Sequence, residues 1–486
     1  MITRLPLYAD DQRLNEILSQ FEVYAEEQRK AWNIPGLAIG IIKDQNVLLA
    51  KGYGQRGLSD KRPVDENTIF QTGSLSKAFT AALVAIAADK KWLKWEDSVI
   101  QHMPTFRLSD PWVTTQFQMI DLLAQRSGLP PYAGDGQAFL GFTRDEMLNH
   151  LQYIHPLSSF RSQFAYQNIL FLVAAHILEK KAKMTYEELL KQEIFLPLEM
   201  TNSTVTLKDY LEAPNRAEWL MRLEDGSTTR LNDDFPYNNW NYILGPAGGI
   251  NSNVADLSKW LILQANLGKF KNKQLITENN MKQMTRPMVF VGDGHGSAMY
   301  YALGWVRTDY SPYPIIWHNG STLGAFNVAA FIPEEKMGIV VLSNVRNTNL
   351  ALALVLQFFD LYFGKPYQDW SQQLLAEQKN QVSTPQQRPS TPYSPLTLAK
   401  YAGTYQNPIY GDAIVEEKDQ QLAILIGKNH LRLHMKPWDR DIFSLIWPIA
   451  QDSESRVIFI PDEKGNITTM RIEIFTKEGA GDFKKI

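Results

Sequence analysis

From Leu75 to Asp89 the chain reads Leu-Ser-Lys-Ala-Phe-Thr-Ala-Ala-Leu-Val-Ala-Ile-Ala-Ala-Asp, apolar on nearly every side of a helix. A helix without a polar face has to be wrapped by other elements, so this one belongs in the middle of a layered core. The chain is large enough to build such a core. Its 486 residues suffice for two or three folding units, and a 44% hydrophobic content excludes wholesale disorder. Lys77 sits in the first turn of this helix, where an ammonium is costly unless it is paired or gives up its proton. Three residues earlier, on the same helical face, stands Ser74, in the chain's only Ser-x-x-Lys. Alone, such a pair is usually a helix cap beside a snorkelling lysine. Its company decides.

Two further motifs supply that company. Tyr166-Gln-Asn168 opens another apolar helix. A tyrosine beside an ammonium is expected to have a lowered pKa and to act as general base toward a serine hydroxyl. Asn168 is placed to donate to a substrate carbonyl and to hold Lys77. Tyr-x-Asn also occurs at Tyr237, in an aromatic loop, and at Tyr405, in a strand-rich segment that marks it as structural. His318-Asn-Gly320 ends the strand-like Pro314-Ile-Ile-Trp run. There glycine lets a substrate lie along the backbone, and histidine offers a donor or a switchable positive charge.

Around these motifs the pattern alternates between sheet and helix. An amphipathic helix spans about 11–32. Strands at 36–42 and 47–53 form a hairpin, and helices fall near 144–153, 168–181, 186–195 and 254–267. Strand signals return at 302–306, 325–332 and 338–342, before an apolar helix at 350–363. Sheet at both ends with helices between predicts an α+β domain over 1–370. Residues 371–400, rich in Gln, Pro and Ser, read as a linker with a short helix expected in its first part, and alternating short strands over 401–486 predict a small antiparallel barrel.

Several function classes drop out. With no cysteine, thiolate nucleophiles, disulfides and Cys-based metal sites are impossible. A net charge of −3 without a basic stripe argues against a nucleic-acid partner. No G-x-S-x-G elbow, phosphate loop or dinucleotide fingerprint occurs, and His430 and His434 lack a third ligand, so neither a cofactor nor a metal is expected. No stretch approaches the roughly 18 apolar residues of a membrane span, and a soluble protein is expected. The first residues do not read as an intact leader; the sequence as given fits the cytoplasm, and a trimmed leader would make it periplasmic or secreted.

Ser-Leu-Ser-Lys, Tyr-Gln-Asn and His-Asn-Gly, in this order, resemble the three active-site motifs of the penicillin-recognising serine hydrolases: class C β-lactamases, DD-peptidases, D-aminopeptidases and related esterases. Phe70-Gln-Thr-Gly-Ser, Asp121-Leu-Leu-Ala-Gln-Arg-Ser-Gly-Leu-Pro, Gly245-Pro-Ala-Gly-Gly-Ile and Leu303-Gly-Trp match as well. The resemblance covers roughly residues 10 to 365, and the C-terminal part more weakly resembles a lipocalin-like domain. It implies a β-lactamase-like sheet with a helical second lobe, Ser74 as nucleophile, and Lys77 with Tyr166 as proton relay. Asn168, His318, Gly320 and Ser321 become substrate-binding positions. The amides of Ser74 and Ser321 would form an oxyanion hole, each donor worth about 3 kcal/mol. His-Asn-Gly stands where β-lactamases carry Lys-Thr-Gly, which favours small peptides or D-amino-acid amides over esters, and both over β-lactams. A β-lactamase, a carboxylesterase or a non-catalytic penicillin sensor are the alternatives. The barrel would cap the cleft or mediate homo-oligomers.

Overall fold

A computed structural model describes residues 7–223, 225–235, 237–294, 296–380, 388–448 and 454–486. The leading residues 1–6 and part of the expected linker, Pro385 included, lie outside it.

After helix α1 (Leu7–Ala31), strands β1 (Gly36–Lys43) and β2 (Asn46–Gly54) form the expected hairpin. A 3-10 turn, Gly73–Leu75, leads into α2 (Ser76–Asp89). The helical lobe contains α3 (Ile169–Ala182) and α4 (Val254–Ala265). Six strands then follow: β3 (Val289–Gly294), β4 (Ser297–Tyr301), β5 (Val306–Thr308), β6 (Ile315–Ser321), β7 (Phe326–Ile332) and β8 (Met337–Ser343). Together with the hairpin they make one antiparallel sheet in the order β2-β1-β8-β7-β6-β5-β4-β3.

Central strands of this sheet are buried on both faces, so they read as continuous apolar runs rather than alternating ones. In β1, Ala38 and Ile42 join the core beneath α2 and α4, whereas Ile39 and Ile41 join a second core with α1 and with α5 (Leu350–Phe363). Phe21 meets Phe358 edge-on at 5.3 Å on that side. On the other side Phe79 of α2 stacks on Trp260 of α4 at 3.8 Å. The all-apolar α2 is thus enclosed, as its composition demands.

One expectation shifts. Residues 302–305 are not strand but the connection between β4 and β5; they are apolar because they are buried against the start of α2. Gly304 has φ +73°, and a Cβ there would lie 2.7 Å from the carbonyl oxygen of Lys77. The stretch from Ser371 opens with the expected short helix, α6 (Trp370–Asn380), which is packed rather than free: Trp370 and Leu374 join the second core and Ser371 accepts from the Trp32 indole at 2.7 Å.

The C-terminal region is a closed barrel of eight strands: β9 (Gly403–Asn407), β10 (Gly411–Lys418), β11 (Gln421–Ile426), β12 (Leu431–Asp439), β13 (Ile442–Ile446), β14 (Glu454–Pro461), β15 (Ile467–Ile472) and β16 (Asp482–Lys485). A short helix α7 (Glu473–Lys477) precedes the last strand. The barrel lies against residues 130–146 of the helical lobe. Asn429 donates to the Phe139 carbonyl at 3.1 Å, Lys428 pairs with Glu146 at 2.9 Å, and Glu478 accepts from the Gly136 amide at 3.0 Å.

Candidate active site

Ser74 occupies the 3-10 turn ahead of α2 and stays partly exposed. The chain around it is tied down from both sides. Thr72 donates to the Ile250 carbonyl at 2.8 Å, Ser76 to the Gly73 carbonyl at 2.7 Å, and Asn327 of β7 to the Gln71 carbonyl at 2.9 Å. Two glycines let β6 approach this turn closely. At Gly320 a Cβ would lie 1.9 Å from the Thr72 carbonyl oxygen and 3.1 Å from the Ser74 amide nitrogen. At Gly73, with φ +58°, it would lie 2.8 Å from the Ser321 amide nitrogen. The amides of Ser74 and Ser321 are therefore neighbours across two backbones in contact.

Lys77 has no exposed surface. Its Nζ donates to Ser74 Oγ at 3.2 Å, to Asn168 Oδ1 at 2.6 Å and to the Ala247 carbonyl at 3.0 Å. Loss of solvent brings its pKa down to about 7, against the opposing pull of Asp135. A large share of the amine is then unprotonated near neutral pH and able to accept a proton.

Tyr166 hydrogen-bonds the Ser74 hydroxyl, yet its pKa moves opposite to the sequence expectation. Burial pushes the phenol well above its ordinary value, neighbouring Tyr301 adds to this, and the bond to Ser74 only partly offsets it. The reason is geometric: Lys77 Nζ lies over the face of the Tyr166 ring, 4.6 Å from its centre. An amine with a pKa near 7, over the ring, does not offset the loss of water. Tyr166 is a phenol at neutral pH.

Asn168, expected to reach a substrate carbonyl, has its amide engaged at both ends. Oδ1 accepts from Lys77, and Nδ2 donates to Asp135 Oδ2 at 2.5 Å. His318 is 1% exposed, with Nδ1 donating to the Asn319 carbonyl at 2.5 Å and Nε2 accepting from Tyr301 at 3.0 Å. Burial first, then Lys77, holds its pKa down to about 3, so the expected switchable charge is absent and the ring is neutral.

The other sequence candidates lie elsewhere. Tyr405 is buried in the barrel, donating to the Tyr401 carbonyl at 2.7 Å, and Tyr237 packs edge-on against Phe235 at 5.5 Å. His430 and His434 are exposed, and among the described residues no group of three candidate ligands gathers for a metal. Sequence reasoning missed Asp135, which burial pushes up to about 7. It lies in a Gly-Asp-Gly run that reads as a solvated turn, and nothing in it signals burial beside a lysine.

Fold and site together define the class: a serine hydrolase of the β-lactamase and penicillin-binding-protein superfamily. The family model described as Beta-lactamase matches residues 22–355, and this chain belongs to that family. A second model, a domain of unknown function (DUF3471), matches residues 387–485. The chain is 27% identical to Unguisins hydrolase ungD of Aspergillus violaceofuscus over 456 residues, 85% of this chain and 79% of that protein. It is 24% identical to Protein flp of Staphylococcus aureus over 339 residues, 68% of this chain and 64% of that one. Among solved structures, the octameric penicillin-binding protein homologue from Pyrococcus abyssi shares the fold, with a TM-score of 0.63 at 20% identity, over 94% of this chain and 98% of that one.

Proposed function

We propose that this hydrolase cleaves amide bonds of short peptides or D-amino-acid derivatives through an acyl-enzyme on Ser74. The observation that carries this reading is the buried Lys77 amine, 3.2 Å from Ser74 Oγ with a pKa of about 7. Ser74 Oγ attacks the substrate carbonyl as its proton passes to Lys77 Nζ. The amides of Ser74 and Ser321 receive the developing oxyanion. Collapse breaks the C–N bond, and the proton leaves on the amine through Lys77 or the Tyr166 phenol, which borders Ser74. Water then repeats the sequence against the ester, returning the hydroxyl and releasing the acid.

Asn168 acts in this scheme by aiming Lys77 rather than by touching substrate. Peptides rank ahead of β-lactams because β6 carries a neutral, internally bonded His318 and no fixed cation for a substrate carboxylate. A relative named as a hydrolase of unguisins supports the reading of this chain as a hydrolase. Assembly of the chain into oligomers through the barrel is also proposed, and sedimentation of the full chain tests it.

Intact-mass analysis after treatment with a fluorophosphonate should show one adduct on the wild type and none on Ser74→Ala. No adduct, or one that survives the substitution, rejects the proposal. A panel of D-alanine p-nitroanilides and nitrophenyl esters then separates peptidase from esterase. Labelling without turnover of either would point to a sensor.

A further inference from the structure

Beside the Ser74 turn runs a series of aromatic rings that extends beyond the groups acyl transfer needs. The ring of Tyr166, whose hydroxyl bonds Ser74, lies 5.4 Å from that of Tyr132 and 6.4 Å from that of Tyr301 at the end of β4. Phe164 stands 5.7 Å from Tyr301. Tyr301 is buried and Phe164 and Tyr166 are half-buried, but Tyr132 leaves 51% of its surface open.

An exposed tyrosine alone means little. This one is held where it stands. Its backbone is left-handed, with φ +59°, a conformation that a residue with a Cβ adopts only where its surroundings impose it. The Tyr132 amide donates to the Tyr166 carbonyl at 2.7 Å, and the Tyr132 carbonyl accepts from the Asp135 amide at 3.0 Å. Just upstream, the Gln167 side chain donates to the Leu129 carbonyl at 3.3 Å and to that of Pro130. The barrel closes on the same loop from another side. Gly479 sits where a Cβ would lie 2.6 Å from the Pro130 ring, and the Gly136 amide donates to Glu478 at 3.0 Å. Residues 130–136 are thus tied to the catalytic segment 166–168 and to the barrel's last turn together. A ring fixed in this way loses little conformational freedom when a ligand covers it.

We propose that Tyr132 is a specificity-determining residue: its open face, continuous with Tyr166, receives an aromatic or bulky apolar side chain flanking the scissile bond. The inference rests on the reading of Ser74 as nucleophile above. Laying such a side chain on the ring removes apolar surface of both partners from water, and ring pairs about 4.5–7 Å apart gain further from offset or edge-to-face contact. A methyl group covers little of that surface, so preference should grow with the size of the side chain.

Two pairs of amides test this on the full-length protein. D-phenylalanine and D-alanine p-nitroanilides vary the acyl half, and D-alanyl-D-phenylalanine and D-alanylglycine vary the leaving half. Wild type should favour the phenylalanine member of at least one pair by about fivefold or more in kcat/KM, and the pair that responds identifies the half that Tyr132 touches. In Tyr132→Ala that preference should fall by about fivefold or more, chiefly through KM; in Tyr132→Phe, which keeps the ring, it should stay within about twofold of wild type. Tyr132→Gly, which the left-handed backbone favours, should repeat the loss, so that a folding defect in the alanine variant cannot stand in for it. An equal loss in Tyr132→Phe assigns the effect to the hydroxyl and overturns the aromatic contact. A preference absent from wild type, or unchanged in Tyr132→Ala and Tyr132→Gly, overturns the inference and leaves the Ser74 reading intact. Fluorophosphonate labelling of Ser74 without turnover of any of the four amides overturns it as well. An unlabelled wild type rejects the Ser74 reading and this inference with it.

Discussion

Lys77 Nζ lies 2.6 Å from Asn168 Oδ1 but 3.2 Å from Ser74 Oγ. The tighter contact fixes the amine, and the longer one keeps it within hydrogen-bond reach of the Ser74 hydroxyl. Asn168→Ala should therefore cost activity without touching substrate: roughly 10²-fold in kcat, with KM little changed, because a general base is mis-aimed rather than removed. Steady-state kinetics on the best p-nitroanilide check the split; a rise confined to KM would return Asn168 to substrate binding.

Activity should rise with pH. The folded Lys77 has a pKa of about 7, so the free amine, which in the proposed mechanism takes the Ser74 proton, grows as pH passes through that value. kcat/KM should climb about tenfold per unit below pH 6 and level off above pH 8. Lys77→Arg, charged throughout, should be inactive at every pH.

Stability should run the other way at first. Asp135 and Glu478 bind protons more tightly when folded, with pKa values of about 7 and 8 against ordinary values of 3.8 and 4.5. From about pH 4 to 8 the folded chain holds protons the unfolded chain has released, so this contribution is lost as pH rises. Lys77 has the opposite sign: from about 7 to 10.5 the unfolded chain holds the extra proton, and stability is regained. Thermal midpoints should dip between pH 7 and 8, and Glu478→Gln should shrink the drop between pH 5 and 8.

Gly320→Ala should separate the two amides that flank the cleft. Its Cβ would sit 1.9 Å from the Thr72 carbonyl oxygen, so β6 or the Ser74 turn has to move. Loss of one oxyanion donor corresponds to about 10²–10³-fold in kcat, and the overpacking costs roughly 1–3 kcal/mol. Labelling kinetics and urea unfolding measure the two effects separately.

Two of the three Tyr-x-Asn tyrosines offer a matched control. Tyr166→Phe removes the hydroxyl bonded to Ser74 and should lower kcat by at least about 10²-fold with little change in melting temperature. Tyr405→Phe removes a bond to the Tyr401 carbonyl in the barrel and should cost about 1 kcal/mol with activity kept.

The sequence by itself determined the enclosed helix and what stands at its mouth. Periodicity 3.6 with no polar face required burial of Leu75–Asp89, and Ser74 and Lys77 follow from it at fixed local spacing. The same local logic placed the β1–β2 hairpin, the helix at Leu350–Phe363 and the alternating barrel strands. Tertiary structure decided everything that depends on desolvation and on distant neighbours. It raised the Tyr166 pKa rather than lowering it, gave both ends of the His318 ring and of the Asn168 amide a partner, and made Ala302–Trp305 a buried loop. Asp135 and Glu478, 343 positions apart, carry no local signal of their surroundings because a carboxyl's neighbours, and hence its charge, are set by packing that no local pattern encodes.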